Sequence, residues 1–268
     1  MKAVAFDLDD TLLRDDLTIS DYSVRILRRL HAAGIRIIPA SGRARPSMQH
    51  YIGRLDCASL FIACNGAEIW DVSGCKLLSQ ELFSVDLARE IADFAEQRHC
   101  YAQVYQGECF YFNRQDEYAV RYARSASLKG VFAGDLRKFI RQPQAKILLM
   151  SDETTVSALL KEASQLFTGR ASVTCSKPWF LEFNPLNATK GIALGKAAHL
   201  LNIEPSDVIA FGDSLNDLSM LQAAGISVAV ANGREEIRSA ADAVCGSNNE
   251  DGPAHYLQQY FFPGEAVI

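Results

Sequence analysis

Short apolar runs alternate with helix-like stretches in the first and last parts of the chain, and this alternation limits the possible folds most. The runs cover residues 3–6, 35–39, 60–63, 208–211 and 227–230. Between the first two runs, Ser20 suits a helix N-cap and Gly34 suits the position just after a helix end. Repeated strand–helix–strand units of this kind predict an α/β fold built on a parallel sheet.

The middle of the chain has a different pattern, because strand-like runs there stand next to one another. Gly107 separates two such runs, and a glycine placed first in a two-residue loop suits a type II′ hairpin. The strand candidates are residues 101–106, 109–113, 146–150, 171–175 and 179–183, and the helix candidates are 85–97, 116–127 and 153–167. The pattern predicts an α+β domain at 83–185, inserted into a core formed by 1–82 and 186–268. The chain would cross near 79–84 and 184–189.

Composition excludes several classes of protein. The net charge is −5 and no dense run of Lys or Arg occurs, so a nucleic-acid partner is not expected. No apolar stretch has the length of a signal-peptide core or a membrane span, so we expect no membrane partner and a cytoplasmic location. The seven cysteines include no Cys-x-x-Cys pair and the histidines lack metal-ligand spacing, which favours reduced thiols and no zinc.

Three carboxylates follow the first apolar run directly. Asp7, Asp9 and Asp10 lie in the segment Phe6-Asp7-Leu8-Asp9-Asp10-Thr11. In an open α/β sheet, ligands bind beyond the carboxyl ends of the strands, so these side chains would lie at the usual binding edge. Asp residues that cap a following helix are the simpler alternative. Clustered negative charges repel one another unless a cation compensates them, which favours a functional site.

The apolar run at 208–211 ends in a second acidic segment, Gly212-Asp213-Ser214-Leu215-Asn216-Asp217. Ser214 as an N-cap with Asp217 three residues later resembles a capping box. Capping accounts for those two residues but not for Asp213, which comes before the cap. If this strand neighbours the first, Asp213 converges with Asp7 and Asp9, and such an oxygen-rich site suits Mg²⁺.

Two further elements suit a phosphate group. Ser41, Gly42 and Arg43 follow the run at 35–39, where a hydroxyl and free backbone N–H groups can hold phosphate oxygens. An N-cap serine followed by a solvated arginine is the alternative. Lys190 opens a helix, where the helix dipole disfavours a cation, so a bound anion or carboxylate would explain it. A solvated surface lysine is the alternative there.

Together these residues make up the set that phosphoryl transfer requires. Asp7 would attack phosphorus and carry the phosphoryl group, while Mg²⁺ and Lys190 reduce the repulsion from the phosphoryl oxygens. Asp9, two residues further along an extended strand, would protonate the leaving oxygen and then take a proton from water. The sequence thus predicts a phosphatase that acts on a small phosphorylated metabolite, with Asp7, Asp9, Ser41 and Lys190 as catalytic residues.

Four segments resemble the motifs of the haloacid dehalogenase superfamily and, within it, the Cof-like phosphatase group with a large α/β (type IIB) cap. The segments are Asp7-Leu8-Asp9-Asp10-Thr11, Ala40-Ser41-Gly42-Arg43, Lys190-Gly191 and residues 212–217, in the family's order. The resemblance covers nearly the whole chain. It implies a Rossmann-like parallel-sheet core with the inserted domain as its cap.

The resemblance also implies roles for individual residues. Mg²⁺ would be held by the side chains of Asp7 and Asp213 and by the main-chain carbonyl of Asp9, with Asp217 helping through water. The residues that would bind the phosphoryl group or the substrate are Ser41, Gly42, Arg43, Lys190 and Asn216.

The chain departs from the family's pattern at two places. Asp10 stands where glycine is frequent, and Asn187-Ala188-Thr189 precedes Lys190 where Gly-Val-Ser is common. Neither departure removes a catalytic group. Asn65-Gly66-Ala67 and residues 248–252 resemble weaker family landmarks, which we interpret as turn residues, with Asn65 bordering the pocket.

Other functions remain open at this point. A phosphosugar mutase uses an aspartyl-phosphate but returns the phosphoryl group to the sugar, and a phospho-Asp switch or binding protein would keep the pocket without turnover. The inserted domain would act as a lid. Its aromatic residues could stack on a ring of the substrate, although most are expected in the core or on the hairpin surface; they are Tyr101, Tyr105, Phe110, Tyr111, Tyr118 and Tyr122. A sugar phosphate, a nucleotide or flavin, or pyridoxal phosphate is compatible with the sequence, and the oligomeric state stays open.

Overall fold

The computed structural model describes residues 1–265. The strands are β1 (Ala3–Phe6), β2 (Arg36–Pro39), β3 (Phe61–Ala63), β4 (Glu68–Trp70), β5 (Leu77–Gln80), β6 (Tyr101–Gln106), β7 (Cys109–Phe112), β8 (Lys129–Phe132), β9 (Ile147–Met150), β10 (Ala171–Thr174), β11 (Phe180–Pro185), β12 (Val208–Gly212), β13 (Ile226–Val230) and β14 (Ala243–Cys245). The helices are α1 (Asp21–Ala32), α2 (Arg45–Leu55), α3 (Val85–Gln97), α4 (Glu117–Ala126), α5 (Leu136–Phe139), α6 (Glu153–Leu166), α7 (Lys190–Leu200), α8 (Leu218–Ala223), α9 (Glu235–Ala240) and α10 (Gly252–Phe261).

The core sheet is parallel and has the strand order β14-β13-β12-β1-β2. Phe6 at the end of β1 pairs with Phe211 on one side and with Pro39 on the other. The carboxyl ends of three strands therefore meet at one edge of the sheet, and the segments that follow them emerge side by side. β3 continues this sheet through a parallel bridge between Ala40 and Ile62, and it begins the antiparallel extension β3-β4-β5.

Both faces of the core sheet are buried. Alternate residues of β1 point to opposite sides, so Val4 and Phe6 join one apolar cluster while Ala3 and Ala5 join another. Helix α1 begins at the predicted cap, where the side chain of Ser20 accepts from the Ser23 N–H, and it ends just before Gly34, which has φ +87°. Burial on both faces explains why the strands read as continuous apolar runs.

A second sheet, in the inserted domain that we call the cap, has the strand order β10-β11-β9-β6-β7-β8. Its pairings are antiparallel except for the parallel pair β7–β8. Gly107 has φ +58° between β6 and β7, as the predicted hairpin requires. The predicted fold class, a parallel-sheet core with an inserted α+β cap, is confirmed. The boundaries at 83 and 185 remain a prediction.

Several elements differ from the pattern-based prediction. The strand expected at 179–183 runs from Phe180 to Pro185, and β2, β3 and β9 each begin one residue later than expected. The short strands β4, β5, β8 and β14 were not predicted. β8 contains Lys and Gly, and β4 begins with Glu, so neither shows the β-branched alternation that identifies strands.

Candidate active site

Three carboxylates meet at the shared edge of the core sheet. Asp7 directly follows β1, Asp213 directly follows β12, and Asp217 immediately precedes α8. One carboxylate oxygen from each residue lies within 4.8 Å of one from each of the other two, and all three residues are buried. A cluster of hard oxygen ligands from few protein groups is the kind of site that Mg²⁺ prefers.

Lys190 lies directly against this cluster. Its ammonium group is 2.5 Å from Asp7 Oδ1 and 2.6 Å from Asp217 Oδ1, and the whole residue is 0% exposed. Lys190 is the first residue of α7, and the side chain of Thr189 caps that helix by accepting from the Ile192 N–H. The two carboxylates compensate for a cation at the unfavourable end of the helix dipole. The interpretation of Lys190 as a solvated surface lysine is therefore wrong.

Asp217 also holds the loop that carries Asp213. Its Oδ2 accepts from the backbone N–H groups of Asp213, at 3.0 Å, and of Ser214, at 3.1 Å. Ser214 Oγ donates to Asp213 Oδ2 at 2.5 Å, and helix α8 begins only at Leu218. Ser214 is therefore not the N-cap of that helix, and the capping-box interpretation is wrong. The Asp217 carboxylate does accept from the Ser214 N–H, as the acidic residue of a capping box would.

Burial and the neighbouring carboxylates shift the pKa values of this cluster. Burial raises the pKa of Asp7 well above its ordinary value, and the nearby carboxylates add to the rise while Lys190 opposes it. Burial and the charge of Asp217 raise the pKa of Asp213 to about 7. Burial alone would lower the pKa of Lys190, but the two carboxylates outweigh it and the net shift is upward. A divalent cation would favour the ionised carboxylates, so the residues present fit one.

Asp9 is held apart from this cluster by Arg43. The guanidinium group donates to both carboxylate oxygens, at 2.8 and 2.7 Å. Burial would raise the pKa of Asp9, but the charge and hydrogen bonds of Arg43 lower it below the ordinary value. Arg43 also donates to Ser47 Oγ and to the backbone carbonyl of Ser125 in the cap. The interpretation of Arg43 as a solvated side chain is wrong.

The loop between β2 and α2, residues 40–44, lies at the same edge of the core sheet as the carboxylates, and we call it the Ser41 loop. Ser41 N–H donates to the Ile62 carbonyl at 2.9 Å, and Ser41 Oγ accepts from the Arg43 N–H at 3.1 Å. Helix α2 begins at Arg45 with Ala44 as its N-cap, so the interpretation of Ser41 as an N-cap serine is wrong. Because Ser41 Oγ accepts within its own loop, its proton remains to be donated elsewhere.

Asn65 joins the Ser41 loop to the second acidic segment. It has φ +55°, as its turn interpretation requires, but it is also buried. Asn65 Oδ1 accepts from Asn216 Nδ2 at 3.0 Å, and Asn65 Nδ2 donates to Asn184 Oδ1 at 3.0 Å and to Glu182 Oε2 at 3.3 Å. A Cβ atom at Gly42 would lie 2.8 Å from Asn65 Oδ1, so the close approach of this amide requires glycine there.

A cavity of about 250 Å³ separates these loops from the cap. Its core side includes Asp7, Asp9, Arg43 and Asp213. Its cap side includes Tyr118, Arg121, Tyr122, Lys146, Lys177, Trp179, Phe180 and Glu182. Tyr101, Phe110 and Tyr122 lie in the cap core as predicted, and Tyr122 also lines this cavity together with Tyr118.

Sequence reasoning missed the charged residues of the cap. Glu182 lies inside the apolar strand β11, and Lys146 immediately precedes the apolar strand β9. A charge within an apolar run, on a face that would otherwise be buried, was the available signal. Lys177, by contrast, lies in a loop and carried no such signal; it pairs with Asp10 across the cavity at 3.0 Å.

A family model for haloacid dehalogenase-like hydrolases matches residues 4–257. The chain belongs to this family. The family match covers both parts of the core and the whole cap. The predicted resemblance is therefore confirmed.

Relatives and solved structures agree with this assignment. A 5-amino-6-(5-phospho-D-ribitylamino)uracil phosphatase of Bacillus subtilis is 29% identical over 96% of this chain and 97% of its own length. A haloacid dehalogenase-like hydrolase from B. subtilis is 28% identical, with a TM-score of 0.87 over 96% of this chain and 99% of that one. A subclass IIB sugar phosphatase, 20% identical, has the same fold with a TM-score of 0.86, over 97% of this chain and 99% of that one.

These findings confirm an enzyme, a hydrolase of the phosphatase kind with the large cap. Among residues 1–265, no helix is both long enough and apolar enough to cross a bilayer. The structure brings together Asp7, Asp213, Asp217 and Lys190, and it places Asp9, Ser41, Gly42, Arg43 and Asn216 around them. The role of each residue in catalysis stays a prediction.

Proposed function

We propose that this protein hydrolyses the phosphate monoester of a small metabolite through an aspartyl-phosphate on Asp7, with Mg²⁺ as its cofactor. One observation carries the proposal. The carboxylate of Asp7 lies 2.5 Å from the Lys190 ammonium, within a buried cluster of three carboxylates. A nucleophile, a fixed cation and a site for a second cation thus lie together.

The proposed metal ligands are the side chains of Asp7 and Asp213 and the main-chain carbonyl of Asp9, with Asp217 acting through water. Three buried carboxylates beside a single lysine support this assignment, because their charge is not balanced without a further cation. When bound, Mg²⁺ would neutralise charge on the phosphoryl oxygens and so let a carboxylate approach phosphorus.

In the first proposed step, one oxygen of Asp7 attacks phosphorus and the bond from phosphorus to the leaving oxygen breaks. Asp9 gives a proton to that leaving oxygen, which departs as an alcohol. The phosphoryl oxygens would be held by the Ser41 hydroxyl, by the backbone of the same loop at Gly42, by the Lys190 ammonium group and by Asn216.

In the second proposed step, water attacks the phosphorus of the aspartyl-phosphate. Asp9 accepts the proton of that water, the bond from phosphorus to Asp7 breaks, and inorganic phosphate leaves. Both carboxylates return to their starting states, so the cycle consumes only ester and water.

Asp9 requires a change of partner to act as the acid, because its ion pair with Arg43 favours the ionised form. We infer that the phosphoryl group replaces Asp9 as a partner of Arg43 when substrate binds. The buried position of Asp9 would then raise its pKa, so that it takes up a proton from solvent when substrate binds and returns it when phosphate leaves and the pair with Arg43 re-forms.

The cavity supports a substrate of metabolite size, and we expect the protein to act in the cytoplasm. Tyr122, Trp179 and Phe180 present aromatic surface on the cap side, and Arg121 and Lys177 present positive charge. The candidate classes are sugar phosphates, nucleotides or flavin mononucleotide, and pyridoxal phosphate. The phosphate ester named for the B. subtilis relative belongs in the same screen.

Release of inorganic phosphate from these compounds, measured with and without Mg²⁺, tests the proposal. We expect Mg²⁺-dependent release from at least one compound. Transfer to a second position on the same sugar without release would indicate a mutase. A protein that stays phosphorylated without turnover would indicate a switch.

A further inference from the structure

The cap contributes a buried ion pair that reaches into the core site. Lys146 precedes β9 and Glu182 lies in β11, and these adjacent strands bring the two side chains together as a salt bridge. Lys146 is 3% exposed and Glu182 is 1% exposed. Burying two charges costs more free energy than an apolar pair of the same size would. An interaction beyond the cap itself would explain why they are there.

Both members of the pair contact the core. Lys146 Nζ donates to the carbonyl oxygen of Gly42 at 2.8 Å, and Glu182 Oε2 accepts from Asn65 Nδ2 at 3.3 Å. Gly42 directly follows Ser41 in the chain, and Asn65 Oδ1 accepts from Asn216 Nδ2. The ion pair therefore spans the boundary between cap and core at the proposed phosphoryl site.

The Gly42 contact acts on the orientation of one peptide group. The carbonyl of Gly42 and the N–H of Arg43 belong to the same planar peptide, so holding one end orients the other. Lys146 holds the carbonyl end, and Ser41 Oγ accepts from the N–H end at 3.1 Å. Because Ser41 Oγ accepts from the Arg43 N–H, its own O–H group stays free to donate to a phosphoryl oxygen.

The Glu182 contact acts on the amide of Asn65. An Asn amide can be rotated by half a turn unless its partners distinguish oxygen from nitrogen. Glu182 Oε2 and Asn184 Oδ1 both accept from Asn65 Nδ2, so together they keep that nitrogen facing the cap and Asn65 Oδ1 facing Asn216. Asn216 Nδ2 gives one of its two N–H groups to Asn65, and the second N–H is the group that can donate to a phosphoryl oxygen.

We propose that Lys146 and Glu182 are positioning residues of the cap, which orient the Ser41 loop and the Asn65–Asn216 pair for phosphoryl binding. The inference rests on the proposed phosphatase function. Because the pair belongs to the cap and its partners to the core, the phosphoryl site is complete only when the cap is closed.

The test replaces both charges at once, because removing one would leave the other buried and unpaired. Lys146→Met/Glu182→Gln keeps the volumes and an acceptor for Asn65 but removes the donor to Gly42. We expect the affinity for inorganic phosphate, measured by calorimetry with Mg²⁺, to fall about tenfold, which corresponds to about 1.4 kcal/mol. Lys138→Met, at a cap lysine whose side chain is 87% exposed, is the matched control and should change nothing.

Substrates with different leaving groups separate positioning from direct contact with substrate. If the pair positions the Ser41 loop, the double variant should lose kcat/KM by the same factor for p-nitrophenyl phosphate and for a larger ester. Its unfolding temperature should be unchanged. A loss confined to one leaving group would overturn the inference, as would phosphate affinity within twofold of the unaltered protein.

A second variant covers the case in which the double variant does not fold. Glu182→Asp keeps a carboxylate opposite Lys146, but its side chain is one methylene group shorter. The Lys146 ammonium group would follow the carboxylate and move away from the Gly42 carbonyl. A smaller loss of phosphate affinity is expected, and unchanged affinity would contradict the inference. Phosphate binding needs no turnover, so its loss in these variants is distinguishable from a failure of the proposed reaction, which would appear as inactivity of the unaltered protein.

Discussion

Both carboxylate oxygens of Asp9 accept hydrogen bonds from the Arg43 guanidinium group, at 2.8 and 2.7 Å. The pair joins the loop after β1 to the loop after β2. Arg43 extends the connection to the cap through the Ser125 carbonyl. The residue proposed as acid and base is therefore linked to the cap through one arginine.

Arg43→Met is expected to destabilise the protein most at neutral pH. The pair holds the pKa of Asp9 below its unfolded value, so its stabilisation is fully present above about pH 4 and is lost as the pH falls through the folded pKa. We expect about 1–3 kcal/mol less free energy of unfolding at pH 7, since both side chains are largely buried. Denaturant unfolding at pH 7 and at pH 3 measures this difference in the free energy of unfolding. Arg141→Met, at an exposed position, is the control. An equal difference at both pH values would contradict the assignment.

Asp7→Asn should fold but lose phosphate release by about 10³-fold or more, because an amide oxygen does not form the acyl-phosphate. Lys190 keeps Asp217 as its partner, and one of several buried like charges is removed, so we expect no loss of stability. Phosphate release and the unfolding temperature are measured on the same preparation. Substantial remaining turnover would exclude Asp7 as the nucleophile.

Addition of Mg²⁺ should raise the unfolding temperature, because the ion binds the folded cluster and not the unfolded chain. Asp213→Asn should abolish that rise, since it removes one proposed ligand from the group of three. Asp86→Asn, at an exposed carboxylate in the first turn of α3, serves as control and should keep the rise. If the Asp213 variant is stabilised by Mg²⁺ as much as the unaltered protein, the ion binds elsewhere.

Asp10→Gly tests the departure from the family's pattern. Asp10 has φ +59°, which glycine tolerates better, while its ion pair with Lys177 is partly exposed and contributes little. We therefore expect the free energy of unfolding to change by less than about 1 kcal/mol. The loss of a negative charge beside the cavity should lower KM for an anionic ester by about two- to fivefold at low salt. Asp10→Asn should give the same change in KM, and a rise in KM in both would contradict this account.

The sequence was sufficient for the residues that follow the strands of the core. Asp7, Asp213 and Ser41 are each close in sequence to a buried apolar run, and parallel strands carry such positions to one edge of the sheet. Local signals also identified the cap on α1 at Ser20 and the turn at Gly107. These features depend on neighbouring residues, which a sequence displays directly.

Contacts between residues that are far apart in the chain could not be predicted from the sequence. Ser214 looked like an N-cap from its spacing to Asp217, yet α8 begins four residues later because Asp217 bonds back to the loop. The pairing of Arg43 with Asp9 joins two loops, and its effect on the pKa of Asp9 follows from burial as well as charge. Spacing along a chain does not encode such geometry.

The sequence by itself determined four of the five strands of the parallel core sheet, the inserted α+β segment and the acidic residues at the strand ends, because each depends on local periodicity and residue type. Only the tertiary structure decided which charges meet. Lys190 meets Asp7 across 183 positions, and Lys146 meets Gly42 across 104. Burial makes these contacts strong and selective, since charges removed from water require partners, and burial is a property of the folded chain.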